Sequence, residues 1–418
     1  MLFRMAARNL MRHRWRTYLT IGGISVSTAV LIALLALFNG IYGQLAEATT
    51  SVELGQIQIQ SEEYVDRASI HHHFRAPAQL LDHIEATDGV HAASPRVISH
   101  GLVGEEEQSR IARVKGVDPH RETEVTILDE AIVDGQWLTD ERPDDFEPRQ
   151  IILGSVMAQS LQAELGDELV VLTQAVDGSL GNELVEVTGI VHTGNILIDR
   201  QTAYMHIDDL RFIAALDDEV HEIALATALD DAPHIARGLQ SELIQFAGDD
   251  DLVVRPWQEI AVDIYTMVEL AAQVSWWLLF IIFAIAALGI FNTLRMSTLE
   301  RSREFGVMMG VGLSRTRLLI LIVIEGVILG TSGALLGGLL GAAIAYLSGT
   351  YGLSLEFFTD AETLQLMGVA FADRIFYDLT AREVLMPVVG IIIVTALCAT
   401  WPALRAVREN PRDTIAGR

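Results

Sequence analysis

Residues 17–46 read TYLTIGGISVSTAVLIALLALFNGIYGQLA, 30 positions without a charged side chain. A helix of about 20 apolar residues covers the hydrocarbon core of a bilayer, so this stretch is long enough to cross one. Ahead of it stand Arg4, Arg8, Arg12, Arg14 and Arg16, with no acid among them. The run is too long for the apolar segment of a cleavable leader, and no small-residue cleavage site follows it. Three further runs repeat the pattern. Leu270–Leu294 has 25 positions without charge, Val384–Leu404 has 21, and Leu318–Leu347 is broken only by Glu325. A mean hydropathy of +0.34 over 418 residues fits a chain in which membrane helices weigh heavily.

Arginine placement predicts the orientation. The link between the second and third runs carries Arg295, Arg301, Arg303, Arg315 and Arg317 against Glu300 and Glu304. The tail carries Arg405, Arg408, Arg412 and Arg418 against Glu409 and Asp413. Basic segments stay on the cytoplasmic side, so both termini and this link are expected inside. The chain then reads as a cytoplasmic segment 1–16, spans at 17–46, 269–294, 318–347 and 384–404, a cytoplasmic link 295–317 and a cytoplasmic tail 405–418. Segments 47–268 and 348–383 are expected outside. Trp276, Trp277 and Pro387 fall near the outer ends of their spans and Trp401 near an inner one, where tryptophan anchors at headgroup depth.

The formal net charge of −26 is concentrated in the large outer segment. Residues 45–268 hold 43 acids against 13 bases. Lys115 is the sole lysine, and a saline habitat is one reading of such a composition. About 224 residues suffice for a sizeable core and two subdomains. Gly55–Gln60 alternates with period two, as a half-buried strand does. Further strands are expected at 95–103, 109–117, 168–174, 184–192 and 221–227. Helices are expected at 78–86 behind Pro77 and closed by Gly89, and at 154–165, 207–216 and 232–246. Residues 256–270 read as one helix entering the second span, and Asp140–Pro148 as an exposed loop. Strands and helices do not alternate regularly, which makes the outer domain α+β. The fold class is thus a four-helix transmembrane unit plus an α+β extracytoplasmic domain.

No catalytic constellation emerges. Lys115 lies between Val114 and Gly116, so no phosphate loop of the form G-x-x-x-x-G-K-[ST] exists here. Cys398 is the only cysteine, which rules out a disulfide and a cysteine metal site within these residues. His71-His72-His73 and Asp249-Asp250-Asp251 lack the spacing of arranged ligands and read as solvated loops. No metal site is expected. Glu325, inside the third span, must be paired, buried or functional, because an ionised carboxylate there costs about 2.5–3.5 kcal/mol or more. Gly326, Gly330, Gly333, Gly337 and Gly341 share one face of the same helix and predict a close helix–helix seam, within the subunit or across a dimer. Leu299, Ser302, Phe305, Met309 and Leu313 fall on one face of a short amphipathic helix, with Glu300, Arg301, Arg303 and Glu304 on the other.

Around that helix the sequence resembles a family of ABC transporter permeases that includes MacB-type exporters, Lol-type lipoprotein-releasing permeases and FtsX. Glu300-Arg-Ser-Arg-Glu-Phe-Gly-Val-Met-Met-Gly-Val-Gly-Leu-Ser314 is similar to their E-R-x-R-E-x-G-x-x-x-A-x-G-x-S signature. Gly310 stands where alanine is more usual, which softens the helix. Glu325-Gly326 with Leu329-Gly330 resembles the next block, and Pro402-Ala-Leu-Arg-Ala-Val-Arg-Glu-Asn-Pro411 the closing P-A-x-x-A-x-R-x-x-P. Ala7-Arg-Asn-Leu10, Arg16-Thr17, Gly116-Val-Asp-Pro119, Ile152-Leu-Gly154 and Leu165-Gly-Asp167 are similar as well. The resemblance implies a dimer of like or related permeases on two separate ATP-binding subunits, with a periplasmic lipoprotein carrier or adaptor as a further partner and no nucleic acid. ATP and Mg2+ would be bound by the partner ATPase alone, and no cofactor is expected on this chain. Glu300, Arg301, Arg303, Glu304, Phe305, Gly306, Met309 and Ser314 would couple the ATPase to the spans. The outer domain would carry an inserted lobe near 105–215. Lipoprotein release is the leading expectation; efflux of small molecules or peptides, and regulation of a cell-wall hydrolase, are the alternatives. A membrane receptor without an ATPase is a third class.

Overall fold

A lone apolar segment can sit in lipid only if its backbone hydrogen bonds close within it, which makes it a helix. In a computed structural model, which describes residues 2–12, 14–105, 108–140, 147–247, 251–354 and 374–408, all four charge-poor runs lie in long helices. These are Arg14–Thr49, Val262–Glu300, Arg315–Tyr351 and Ala381–Arg408, each long and apolar enough to cross a membrane. The chain divides into two compact units. One runs to Gly43 and resumes over Glu269–Ser354 and from Arg374; the other is Gln44–Val268.

In the helical unit, the glycines of the third helix set its packing. A Cβ at Gly326 would come 2.6 Å from Ala399 Cβ, and one at Gly330 2.7 Å from Thr395 Cβ, both on the fourth helix. A Cβ at Gly333 would lie 2.6 Å from Ile24 Cβ, one at Gly337 2.7 Å from Thr28 Cβ, and one at Gly341 2.9 Å from Ile32 Cβ, all on the first helix. The stripe therefore serves two helices of the same subunit, turning from one to the other between Gly330 and Gly333. Polar groups along the seam are satisfied locally. Ser25 Oγ donates to the Ile21 and Gly333 carbonyls at 2.8 and 3.0 Å. Buried Glu383, at the start of the fourth helix, accepts from Asn39 Nδ2 at 2.8 Å and from the Thr380 N–H at 2.9 Å. Such partners are what allow a carboxylate to be buried at all.

The second unit is built on a mixed sheet. Its strands are β1 (Ile57–Ser61), β2 (Phe74–Arg75), β3 (Val90–Glu105), β4 (Gln108–Val117), β5 (Ile132–Gly135) and β6 (Arg149–Gly154). They continue with β7 (Glu168–Gln174), β8 (Leu180–Val191), β9 (Thr202–His206), β10 (Glu219–Val220), β11 (Glu222–Thr227) and β12 (Leu252–Pro256). Among the described residues ten strands form one sheet in the order β12-β1-β11-β3-β4-β9-β6-β8-β5, with β7 joined to β3 and β8. Only β4 with β9 and β6 with β8 run parallel. The excursion between β4 and β9 supplies one side of the sheet, and strands from before and after it supply the other. Helices Ala78–Glu85, Ser155–Leu161, Ile207–Ala214 and Ala232–Ala247 pack aliphatic side chains onto the sheet in one core.

Three sequence readings change here. β1 is buried along its whole length, Gln58 and Gln60 included, because it lies between β11 and β12 and its polar face is covered. The helix expected over 256–270 is broken: Pro256 ends β12, Trp257–Ile260 is a separate turn, and Ala261 (φ −96, ψ 57) interrupts it before Val262. The helices expected at 154–165 and 207–216 stop early, each closed by a left-handed residue, Gln162 and Ala215. Asp249 and Asp250, and residues 141–146 of the expected loop, lie outside the described residues.

Candidate functional site

The link between the second and third long helices is a helix–break–helix. The second helix ends at Glu300, Arg301 leaves helical geometry (φ −103, ψ 10), and a short helix spans Ser302–Gly310. Gly312 ends it with φ +104, and the Leu313 N–H reaches back to the Met308 carbonyl at 3.0 Å. Only glycine adopts that conformation at little cost, and the backward bond satisfies a carbonyl that the helix end leaves open. Ser314 caps the next helix by accepting the Arg317 N–H at 3.4 Å.

The break relocates Arg301. Counted along an unbroken helix it would share the polar face with Glu300 and Arg303. Instead it turns inward and is 8% exposed. Arg301 Nη1 lies 2.6 Å from Glu325 Oε2 and Nη2 3.4 Å from Oε1, while Nε meets Glu304 at 3.2 Å. Asn9 Nδ2, on the short helix Leu2–Arg12, donates to Glu325 Oε1 at 2.8 Å. The guanidinium also stands 5.1 Å over the Phe305 ring, within cation–π range. Phe305 itself is 2% exposed, in a cluster with Ala6, Leu318, Leu321 and Ala403. The link is thus tied to the N-terminal helix, the third and the fourth by one apolar cluster and one ion pair. Removing either partner of such a buried pair leaves an uncompensated charge and costs about 3–5 kcal/mol.

The residues named for coupling therefore separate into two sets. Glu300, Arg303, Glu304 and Ser314 are exposed, together with Val307 and Val311, the last 86% exposed. Arg301, Phe305 and Gly306 are buried, and Met309 is half-buried against the same cluster. Glu325 was singled out by its place in an apolar run; its partner was hidden by the assumption of a continuous helix.

The outer unit contains a buried ionic network that sequence reasoning did not find. Arg96, opposite Glu222 in the β3–β11 register, is wholly buried. Its guanidinium meets Glu122 at 2.6 and 3.0 Å, Glu222 at 3.0 Å and the Glu53 carbonyl at 2.7 Å. Lys115 Nζ lies 3.1 Å from Glu53 Oε1, and Arg113 pairs with the same carboxylate. Burial and the neighbouring Arg96 and Arg113 charges pull the Lys115 ammonium well below its ordinary range. Burial alone would raise the Glu222 carboxyl, but Lys115 and Arg96 outweigh it and hold it low. The only trace in the sequence was a pair of glutamines on the face of β1 that covers this network.

Other titratable groups are structural. His221 accepts the Ile98 N–H at Nδ1 (3.0 Å) and stands 3.1 Å from the Ile70 carbonyl at Nε2. Burial lowers its pKa to about 4, so it is neutral and pins the loop before His71-His72-His73. His72 Nδ1 is 2.8 Å from the Arg67 carbonyl, and among the described residues no histidine, cysteine or acid cluster could hold a metal ion. Ser155, His192 and Asp199 adjoin, but Ser155 Oγ and Asp199 Oδ2 both face His192 Nδ1, at 3.1 and 2.8 Å. A serine nucleophile needs the opposite nitrogen from its carboxylate, so this is not a triad. Asp199 instead clamps the turn, accepting the Thr193 N–H at 2.9 Å.

Residues 17–241 match the MacB-like periplasmic core domain, and residues 276–411 match the FtsX-like permease C-terminal domain. The lipoprotein-releasing system transmembrane protein LolC of Neisseria meningitidis is 26% identical, over 96% of this chain and 93% of its own length. LolE of Haemophilus influenzae is 23% identical over 94% and 92%. The macrolide export ATP-binding/permease protein MacB of Acinetobacter baylyi is 21% identical over 82% of this chain and 51% of its own length. The chain belongs to the family of ABC transporter permeases that join a MacB-like periplasmic core domain to an FtsX-like permease domain.

Proposed function

We propose that this chain is the permease subunit of a lipoprotein-releasing transporter of the inner membrane. A separate ATPase dimer drives movement of its outer domain, and a second permease, identical or related, completes the complex. The carrying observation is the Arg301–Glu325 pair, which makes the Ser302–Gly310 helix one body with the long helices behind it. A push on the exposed face of Glu300, Arg303, Glu304, Val307 and Val311 would then move helices rather than bend a link. Arg301, Phe305 and Gly306 would act from behind by holding that face in place. The arginine distribution supports placing this face, with both termini, in the cytoplasm. The sheet topology supports a second lobe near 105–215, since the strands β4–β9 fill one side of the sheet. Alignment with LolC along nearly the full length of both chains supports the lipoprotein reading. The MacB match supports efflux of small molecules or peptides as the second reading. In both, ATP and Mg2+ belong to the partner.

The test is purification from mild detergent with identification of what is retained. An ATPase should co-purify with the native chain and be lost from Val307→Asp and Val311→Asp, whose side chains are exposed and take no part in the Arg301–Glu325 pair. Retention of the ATPase by both variants would count against this face as the docking site. Phe305→Asp would not discriminate, because it places a charge in the core.

A further inference from the structure

The ionic network of the outer unit has one opening. Of its six side chains, Arg96, Lys115, Glu53, Glu122 and Glu222 are at most 8% exposed, whereas Arg113 is 34% exposed. Arg113 lies in the wall of a cavity of about 610 Å3, entirely within this unit. That volume falls in the range of small-molecule sites. Part of the wall is aliphatic, with Val52, Leu54, Ile111, Leu197, Ile198 and Ile264, and the rest, Glu53 and His100 included, is polar. Ile111 is 77% and Leu197 58% exposed. Single exposed aliphatics are ordinary on a protein surface, but these line one concavity, on the same wall system as Arg113.

The guanidinium is half used. Its Nη2 is spent on Glu53 and on Thr202 Oγ1, the latter at 3.3 Å, while Nε and Nη1 make no hydrogen bond to the described residues. A planar fork with free N–H groups fits a carboxylate or phosphate. The surrounding domain is strongly acidic and gives such an anion no long-range attraction, so affinity must come from contact.

We propose that this cavity binds an amphiphilic anion, an aliphatic chain ending in a carboxylate or phosphate, with its head on Arg113 and its chain against Val52, Ile111 and Leu197. The site is separate from the helical link and does not depend on the ATPase reading. Free fatty acid and bilayer phospholipid share this chemistry, and two probes separate them.

The full chain, held in amphipol, is photolabelled with a dodecanoate carrying a diazirine in its chain, with the matching dodecanol as neutral control and a diazirine phosphatidic acid as the lipid probe. Labelled peptides are mapped by mass spectrometry. Labelling by an anionic probe is expected on peptides holding Ile111 and Leu197, about tenfold above the alcohol. The anionic probe that labels better identifies the source. Arg113→Gln should lower anion labelling to the level of the alcohol, and Leu197→Asp should abolish labelling. Leu197 is exposed and outside the network, so that variant decides the matter even if Arg113→Gln fails to fold. Labelling by both anionic probes no stronger than by the alcohol, label confined to the long helices, or full labelling of Leu197→Asp would each overturn the proposal.

Discussion

The Arg301–Glu325 pair predicts a specific double-mutant outcome. In Arg301→Gln, the Glu325 carboxylate keeps only the Asn9 donor while its side chain stays 8% exposed, so the cost is that of an orphaned buried charge, about 3–5 kcal/mol. In Glu325→Gln, Arg301 keeps Glu304 at 3.2 Å, but that carboxylate is 44% exposed and screened, so it recovers at most about 1 kcal/mol. The arginine change should therefore be the more damaging of the two. Arg301→Gln with Glu325→Gln removes both charges and should cost less than the single changes added together, with a coupling of about 2 kcal/mol. The assay is reversible unfolding of the full chain in mixed detergent micelles, followed by the stimulated ATPase rate of whatever complex co-purifies. Arg301→Gln should lose that rate even where the ATPase is still bound, because a docked helix that is not welded to the spans transmits little. If each single change costs under about 1 kcal/mol and the two simply add, the pair does not weld the link and the reasoning fails.

Three further outcomes rest on other parts of the structure. His221 has a folded pKa near 4 against an ordinary 6.5, so the unfolded chain binds the extra proton first. Stability due to neutral His221 is full above pH 6.5 and declines as pH falls towards 4, by about 3 kcal/mol at most. His221→Asn should flatten that part of the melting-temperature profile, and an unchanged slope would show that another group titrates there. Gly333→Leu should disrupt the first-to-third helix seam by at least about 1–3 kcal/mol, since even a Cβ lies 2.6 Å from Ile24 Cβ. Gly22→Ala meets nothing within 4 Å and should melt like the native chain.

The long helices were legible because the signal is local and cumulative. Lipid forbids charge over some twenty consecutive positions, and a run of that kind needs no knowledge of its neighbours. The glycine stripe was visible for the same reason, though not which helices it seats: Gly326 and Gly330 meet the fourth helix, and the rest meet the first. Many sheet elements were legible too; Glu168–Gln174 has the expected limits. β2, β5, β6, β9, β10 and β12 went unread; β6 and β9 are buried along most or all of their length and lack the alternation that marks a half-exposed strand.

What failed did so where distant residues decide. Gln58 and Gln60 alternate like a solvent-facing row, yet both are buried, Gln58 donating to the Leu54 carbonyl and Gln60 to Glu222, contacts that no local rule supplies. Arg301 was assigned to the wrong face because one residue of broken helix rotates everything after it by an amount that periodicity cannot anticipate.

The sequence by itself determined four membrane-length helices, an acidic α+β domain between the first two, the absence of a P-loop and the permease family, since each rests on composition or contiguous motif. Tertiary structure alone decided that Glu325 is paired with Arg301, that Lys115 is buried beside Arg96, and that Arg113 opens onto a cavity. The ion pairs behind those facts join residues as far apart as Arg301 and Glu325, 24 positions, and Arg96 and Glu222, 126 positions. Pairing of that kind is set by which surfaces exclude water together, and only the folded chain contains that information.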